Sequence, residues 1–376
     1  MREVMERFTA ACRGGRVVSH SVLMRNPATF HPDASGRQFA SDNFSGICPE
    51  ALTALLEANA AHAPSYGGDA WTREATRLVQ ETFETDCDVF FVFNGTSANS
   101  LSLASLCAPF QSVLCYEHAH ILKDSCGALG FFAHGTTLVP LSGHLGKLAP
   151  EMVGDAATNR RDVHHPLPAA LTLSQATELG TVYSAAEVAA LADTARRLGL
   201  AVHMDGARLA NALAGLGVKP REITWEAGID VLTLGGTKIG LPFGEAVVFF
   251  NRKFAGQFEY RRKQGGQLAS KMRYLAAPWA GILRDGAWLR HAAHANAMAA
   301  RLELKLGQLP GVRIVYPRQA NALFVALPAP LAERLRARGW IFYTDVGPDS
   351  AARFMCSWDT QPEDVDALAA DLCGVL

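Results

Sequence analysis

No surplus of positive charge marks this chain: 35 Lys and Arg stand against 36 Asp and Glu, a formal net charge of −1. Proteins that neutralise a phosphate backbone usually show a basic patch or stripe, so nucleic acid is not expected as a partner. Cysteine is sparse as well. Cys12, Cys48, Cys87, Cys107, Cys115, Cys126, Cys356 and Cys373 form no C-x-x-C pair and, in a chain this long, do not read as a disulfide framework. Reduced thiols and no bound metal are the expectation. No window approaches eighteen uncharged apolar residues, and the opening Met1-Arg-Glu-Val-Met-Glu-Arg-Phe8 puts charges where a signal peptide needs an apolar stretch. A cytoplasmic protein with no membrane contact follows as the expectation. Repeats of fixed period and low-complexity tracts are also lacking.

What remains is an ordinary globular composition, 49% hydrophobic and 19% charged over 376 residues, enough for a large core and more than one lobe. Residues 1–38, rich in Arg, Ser, Pro and Gly, hold neither a period of 2 nor one of 3.6 and read as an irregular arm. Residues 39–280 alternate short β-branched or aromatic runs with amphipathic stretches. The runs 88–93, 112–115, 171–173, 201–204, 230–234 and 246–250 read as strands, which predicts an α/β fold with a mostly parallel sheet. Ser184 with Glu187 forms a capping box, and Arg196-Arg197 before Gly199 closes that helix. Residues 281–376 read as a smaller carboxy-terminal α/β domain: a helix from Gly286 to about Leu309, strands at 312–316 and 322–326, then two helices, the last opened by Thr360 and Glu363.

Three strand ends run straight into small and polar residues, where an open α/β sheet places its ligand crevice. Phe91-Val-Phe-Asn-Gly95-Thr96-Ser97-Ala-Asn99 leads into a helix, offering backbone N–H groups, two hydroxyls and a helix dipole to a phosphate. An ordinary capped strand-to-helix turn would look the same. Ala201-Val-His-Met-Asp205-Gly206-Ala-Arg208 puts a carboxylate at the end of a buried strand, which requires a cationic or hydrogen-bonding partner; Arg208 is one candidate. Asp230-Val-Leu-Thr-Leu-Gly235-Gly236-Thr237-Lys238 presents a single lysine on a glycine-rich turn, thirty-three residues after Asp205.

In that order the three segments resemble the parts of a fold-type I pyridoxal-phosphate enzyme, with a transferase-like large domain. More narrowly, His203-Met-Asp-Gly-Ala-Arg-Leu-Ala-Asn211 resembles the H-x-D-G-A-R segment of the threonine aldolase and β-eliminating lyase family. Further matches are Phe39-Ala-Ser-Asp-Asn43, Ser65-Tyr-Gly-Gly-Asp69, Glu117-His-Ala-His-Ile121 with Cys126-Gly-Ala128, Gln175-Ala-Thr-Glu-Leu-Gly180 and Gly265-Gly-Gln-Leu-Ala-Ser-Lys271. The likeness spans about residues 39 to 374 and is greatest to the bacterial branch of low-specificity L-threonine aldolases and phenylserine aldolases.

The resemblance implies a pyridoxal 5'-phosphate enzyme that splits L-β-hydroxy-α-amino acids, among them L-threonine, L-allo-threonine and L-phenylserine, into glycine and an aldehyde. A β-eliminating lyase or aminotransferase acting on a small amino acid is the alternative at the same cofactor, and a silent binding protein of the same fold the alternative outside enzymes. Lys238 would carry the cofactor as a Schiff base, Asp205 would face the pyridine nitrogen, and Gly95, Thr96 and Ser97 would take the phosphate. Arg208 would lie near the ring oxygen or the substrate carboxylate. His120 would stack on the ring, with His118 its neighbour on the same face; the family's Glu five residues later is Ser125 here. His164 is the candidate base for the β-hydroxyl; many relatives instead carry His in the segment that here reads Ala176-Thr177-Glu178, so that Glu178 would be the group holding the reactive water or hydroxyl. Ser41 and Arg353 would hold the substrate carboxylate. Lys271, with Arg262, would reach a phosphate across a subunit boundary, implying a homodimer or homotetramer with active sites near the interface.

Overall fold

The computed structural model describes residues 37–159 and 162–374. Nearly all of the arm read at 1–38 therefore lies outside the described residues. The larger sheet has seven strands: β1 (Asp88–Val92), β2 (Gln111–Tyr116), β3 (Thr137–Leu141), β4 (Leu167–Ser174), β5 (Ala201–Gly206), β6 (Val231–Leu234) and β7 (Glu245–Phe249), in the order β1-β7-β6-β5-β4-β2-β3. Pairs β2–β3, β2–β4, β4–β5 and β5–β6 are parallel, whereas β7 runs antiparallel to both β1 and β6. Since β1 and β6 both oppose β7, they point the same way. The predicted mostly parallel sheet is thus present, with β7 as its single reversal.

Strand β3 escaped the sequence reading because its Thr-Leu-Val-Pro-Leu stretch is short and contains Pro140. Its place at the sheet's edge explains why the proline is tolerated, since an edge strand leaves one side of its backbone unpaired. The central strands β5, β6 and β7 are buried at every position, as expected when helices cover both faces. The capping box of helix Ala185–Arg197 is formed as expected: Ser184 Oγ accepts from Glu187 N, and the Glu187 carboxylate accepts from Ser184 N at 2.7 Å.

A second, antiparallel sheet follows, ordered β10-β11-β9-β8 from β8 (Arg313–Ile314), β9 (Ala322–Ala326), β10 (Tyr343–Val346) and β11 (Ala351–Met355). The hairpin β10–β11 was read as part of a helical tail. Its strands are short, and polar or exposed residues punctuate β10, so no clean alternation survives in the sequence. The last helix begins one residue later than its expected cap. Gln361 caps helix Pro362–Cys373 together with Asp364, while Thr360 Oγ1 is already taken by the Ser357 N–H at 2.8 Å. Helix Ala287–Leu306 joins the two sheets: Ala287, Trp288 and Ala292 enter the large core, and Ala299, Leu302 and Leu306 enter the core beneath the small sheet.

Candidate active site

The register of the parallel strands assembles the site. Ser174 at the end of β4 pairs with Asp205 on β5, and Asp205 pairs with Thr233 on β6. The segments that follow, 175–180, 206–208 and 235–238, therefore leave the sheet side by side. Residues 117–120 leave β2 at the same edge. The side of the cavity facing the small sheet comes from Asn321, Phe324, Tyr343, Arg353 and Met355. Together they enclose about 720 Å³ that also meets Ser41, His118, His120, Glu178, Asp205, Arg208 and Lys238. This size suits a cofactor with its substrate.

Asp205, Arg208 and Glu178 in this cavity each have identifiable partners. Asp205 accepts from Asn99 Nδ2 at 2.6 Å and from Ala207 N at 3.0 Å. Its candidate partner Arg208 turns elsewhere: Nε and Nη2 donate to the two oxygens of buried Asp42 at 2.7 and 2.8 Å. That guanidinium beside Asp42 holds the Asp42 carboxyl below its usual range despite burial. Asn321 Nδ2 adds a contact to Asp42 at 3.2 Å. Replacing Asp42 by Ala strands a largely buried guanidinium, which costs about 3–5 kcal/mol. The expected result is a thermal midpoint several degrees below the parent's in calorimetry, with Asp42→Asn milder because it can still accept one hydrogen bond.

Lys238 sits on a 3-10 turn, Thr237–Ile239, whose geometry Glu245 fixes from below. Glu245 accepts from Gly236 N at 2.6 Å and from Thr237 Oγ1 at 3.0 Å, and burial pushes its pKa up to about 7. Burial, followed by the positive charge of Arg208, lowers the Lys238 pKa, favouring the neutral amine a nucleophilic lysine needs. Glu178 is a further perturbed group. One carboxyl oxygen accepts from His120 N at 3.1 Å and Ser174 Oγ at 2.5 Å; the other, Oε2, is buried without a partner. Desolvation raises the Glu178 pKa to about 7. Ser125 places its hydroxyl 3.3 Å from His120 Nδ1.

Other expected residues lie differently. Gly95, Thr96 and Ser97 open helix Gly95–Ala104, where Asn94 Oδ1 accepts from Ser97 N; they do not line the cavity itself. They share its sheet edge, because β1 points the same way as β6, and Asn99 of that helix reaches Asp205. Ser41 is buried and its Oγ accepts from Asn43 N. Arg353 donates to Ala40 O at 3.1 Å, packs 5.2 Å from the Tyr343 ring, and keeps Nε buried without a partner. Lys271 is exposed and outside the cavity. His164 is exposed on a loop, its N–H bonded to Asp162 Oδ1 at 2.9 Å, and does not join this cavity. His203 bridges Thr172 and Thr233 from its two ring nitrogens at 2.8 and 3.2 Å. Burial depresses its pKa to about 4, so it is a neutral tie between β4, β5 and β6.

A pyridoxal cofactor requires an amine, a strand-end carboxylate and a helix start at one sheet edge, and these residues meet that requirement. The model of the beta-eliminating lyase family matches residues 38–329. The chain belongs to this family. It is 54% identical to a low specificity L-threonine aldolase of Pseudomonas aeruginosa over 336 residues, 89% of this chain and 97% of that protein. A second low specificity L-threonine aldolase, from a Pseudomonas species, is 53% identical over 90% of this chain and 98% of its own. Among solved structures, a Leishmania major threonine aldolase superposes with a TM-score of 0.84 at 28% identity, covering 89% of this chain and 98% of that one. The family's fold-type I architecture is the one seen here, while the phenylserine branch finds no support in these relatives. No helix among the described residues is long and apolar enough to cross a membrane.

Proposed function

We propose that this family member is a pyridoxal-phosphate-dependent aldehyde-lyase that cleaves L-threonine, and L-allo-threonine in the same cavity, to glycine and acetaldehyde. The observation that carries this reading is one cavity holding both the low-pKa amine of Lys238 and the unpartnered, buried Oε2 of Glu178. The likeness to the Pseudomonas aldolases over nearly the whole chain supports it. When bound, pyridoxal phosphate supplies the electron sink that makes the Cα–Cβ bond labile.

The chain's own residues do the rest. Lys238 would anchor the cofactor, Asp205 would keep a proton on its ring nitrogen, His120 would pack on the ring, and Gly95, Thr96 and Ser97 would hold its phosphate. Arg353, with its free Nε, and the Ser41 hydroxyl would bind and orient the substrate carboxylate. Arg208, committed to Asp42 through two nitrogens, would act chiefly as a fixed positive charge beside the reacting centre. Glu178 would take the β-hydroxyl proton as Cα–Cβ opens, the role first considered for His164. Lys271, being exposed, would serve only across a subunit boundary, in keeping with a homodimer or homotetramer.

Incubation with L-threonine and pyridoxal phosphate is expected to release glycine and acetaldehyde in equal amounts. Ammonia with 2-oxobutyrate in their place would instead make the protein an eliminating lyase.

A further inference from the structure

Among the described residues, one group of cysteine, histidine and acidic side chains outside the cavity brings three ligand atoms within 4.8 Å of one another: those of Cys48, Glu50 and His291. Sequence spacing hides it, because His291 comes from a helix 241 residues beyond Glu50. His291 Nε2 lies 2.9 Å from Glu50 Oε2, and Arg290 Nη2 lies 3.6 Å from Glu50 Oε1. Cys48 is buried, whereas Glu50 and His291 are partly open, so an ion has a route in.

A thiol, an imidazole and a carboxylate form a donor set that favours zinc-class cations over magnesium or calcium. With bond lengths of about 2.0–2.3 Å, tetrahedral ligand atoms stand roughly 3.5 Å apart, so small side-chain rotations would close the set around an ion. Three protein ligands leave a fourth position to water.

The site also abuts the catalytic turn. Cys48 N donates to Gly240 O at 2.8 Å, and Gly240, at a φ of +107°, ends the turn that carries Lys238. A Cβ at Gly240 would lie 2.6 Å from Cys48 Cβ and 3.3 Å from Trp358 Cδ1, and the Trp358 ring packs edge-on to His291 at 5.3 Å. Two of the three ligands therefore touch groups that converge on Gly240.

We propose that Cys48, Glu50 and His291 bind a thiophilic divalent cation, and that its occupancy restrains the Lys238 turn and slows the enzyme. Binding exchanges the Cys48 thiol proton, released to solvent, for a sulfur–metal bond. The regulatory half rests on the aldolase reading; the binding half does not.

The test titrates Co2+ into the cofactor-loaded protein without substrate, followed by difference absorbance, with Cys48→Ser and His291→Asn alongside. One equivalent per chain should give thiolate charge-transfer and tetrahedral bands, lost in Cys48→Ser and shifted to at least about tenfold weaker binding in His291→Asn. Absence of the bands, or their persistence in Cys48→Ser, overturns the site. Zn2+ should then inhibit L-threonine cleavage reversibly on chelation, with about tenfold less sensitivity in His291→Asn. Co2+ binding as described with Zn2+ inhibition unchanged in His291→Asn overturns the coupling alone.

Discussion

Lys238→Ala is expected to remove L-threonine cleavage, by on the order of 10⁴-fold or more, the scale of loss when an essential nucleophile is deleted. The geometry leaves no substitute. Among the residues that line the cavity, Lys123 is the other lysine, and it is exposed at its rim, whereas Lys238 is enclosed and flanked by Arg208, which helps to keep it neutral. Lys238→Arg should be equally inactive, since a guanidinium stays protonated and cannot act as the amine. Glycine release by either purified variant at more than a few per cent of the parent rate would remove Lys238 from the mechanism.

Glu178→Gln should lower kcat/KM for L-threonine by about 10²–10⁴-fold, the range for loss of a general base. The isosteric amide keeps an oxygen that can accept from His120 N and Ser174 Oγ, so the loop conformation is retained. The sign of the pH dependence follows from the raised pKa. A base works when deprotonated, and Glu178 loses its proton near pH 7 rather than near 4.5, so parental kcat/KM should climb as pH rises through about 7. The Gln variant should lack that limb. A variant within threefold of the parent, or one that keeps the same rise, would assign the base elsewhere; a parallel His164→Ala protein should retain parental rates if its exposed loop position reflects its role.

Much of this site was legible because strand ends concentrate it. Asp205 stands in the last two residues of apolar β5 and Lys238 on the turn just after apolar β6, and the parallel register carries that local pattern into three dimensions. Asp42 was harder to read. It sits inside a matched motif, but its pairing with Arg208 spans 166 residues, and no local period encodes such a contact. Glu245 was missed for a similar reason: at the head of an apolar strand it looks like a solvated flank, and only the fold tucks it under the lysine turn. His164 is the opposite case, a histidine of suitable type in a loop that enters β4 at the end opposite the cavity. The turn Gly95–Ser97 was placed at the correct sheet edge, and what sequence could not supply was Asn99, one helical turn further on, reaching across to Asp205.

Cofactor and substrate are expected to meet in the cavity around Lys238. Borohydride reduction of the pyridoxal-phosphate-loaded protein, followed by proteolysis and mass spectrometry, tests it most directly. A single pyridoxyl-modified peptide carrying Lys238 is expected, diminished when L-threonine is added before reduction and absent in Lys238→Ala. Modification at another lysine, undiminished by substrate, would contradict it.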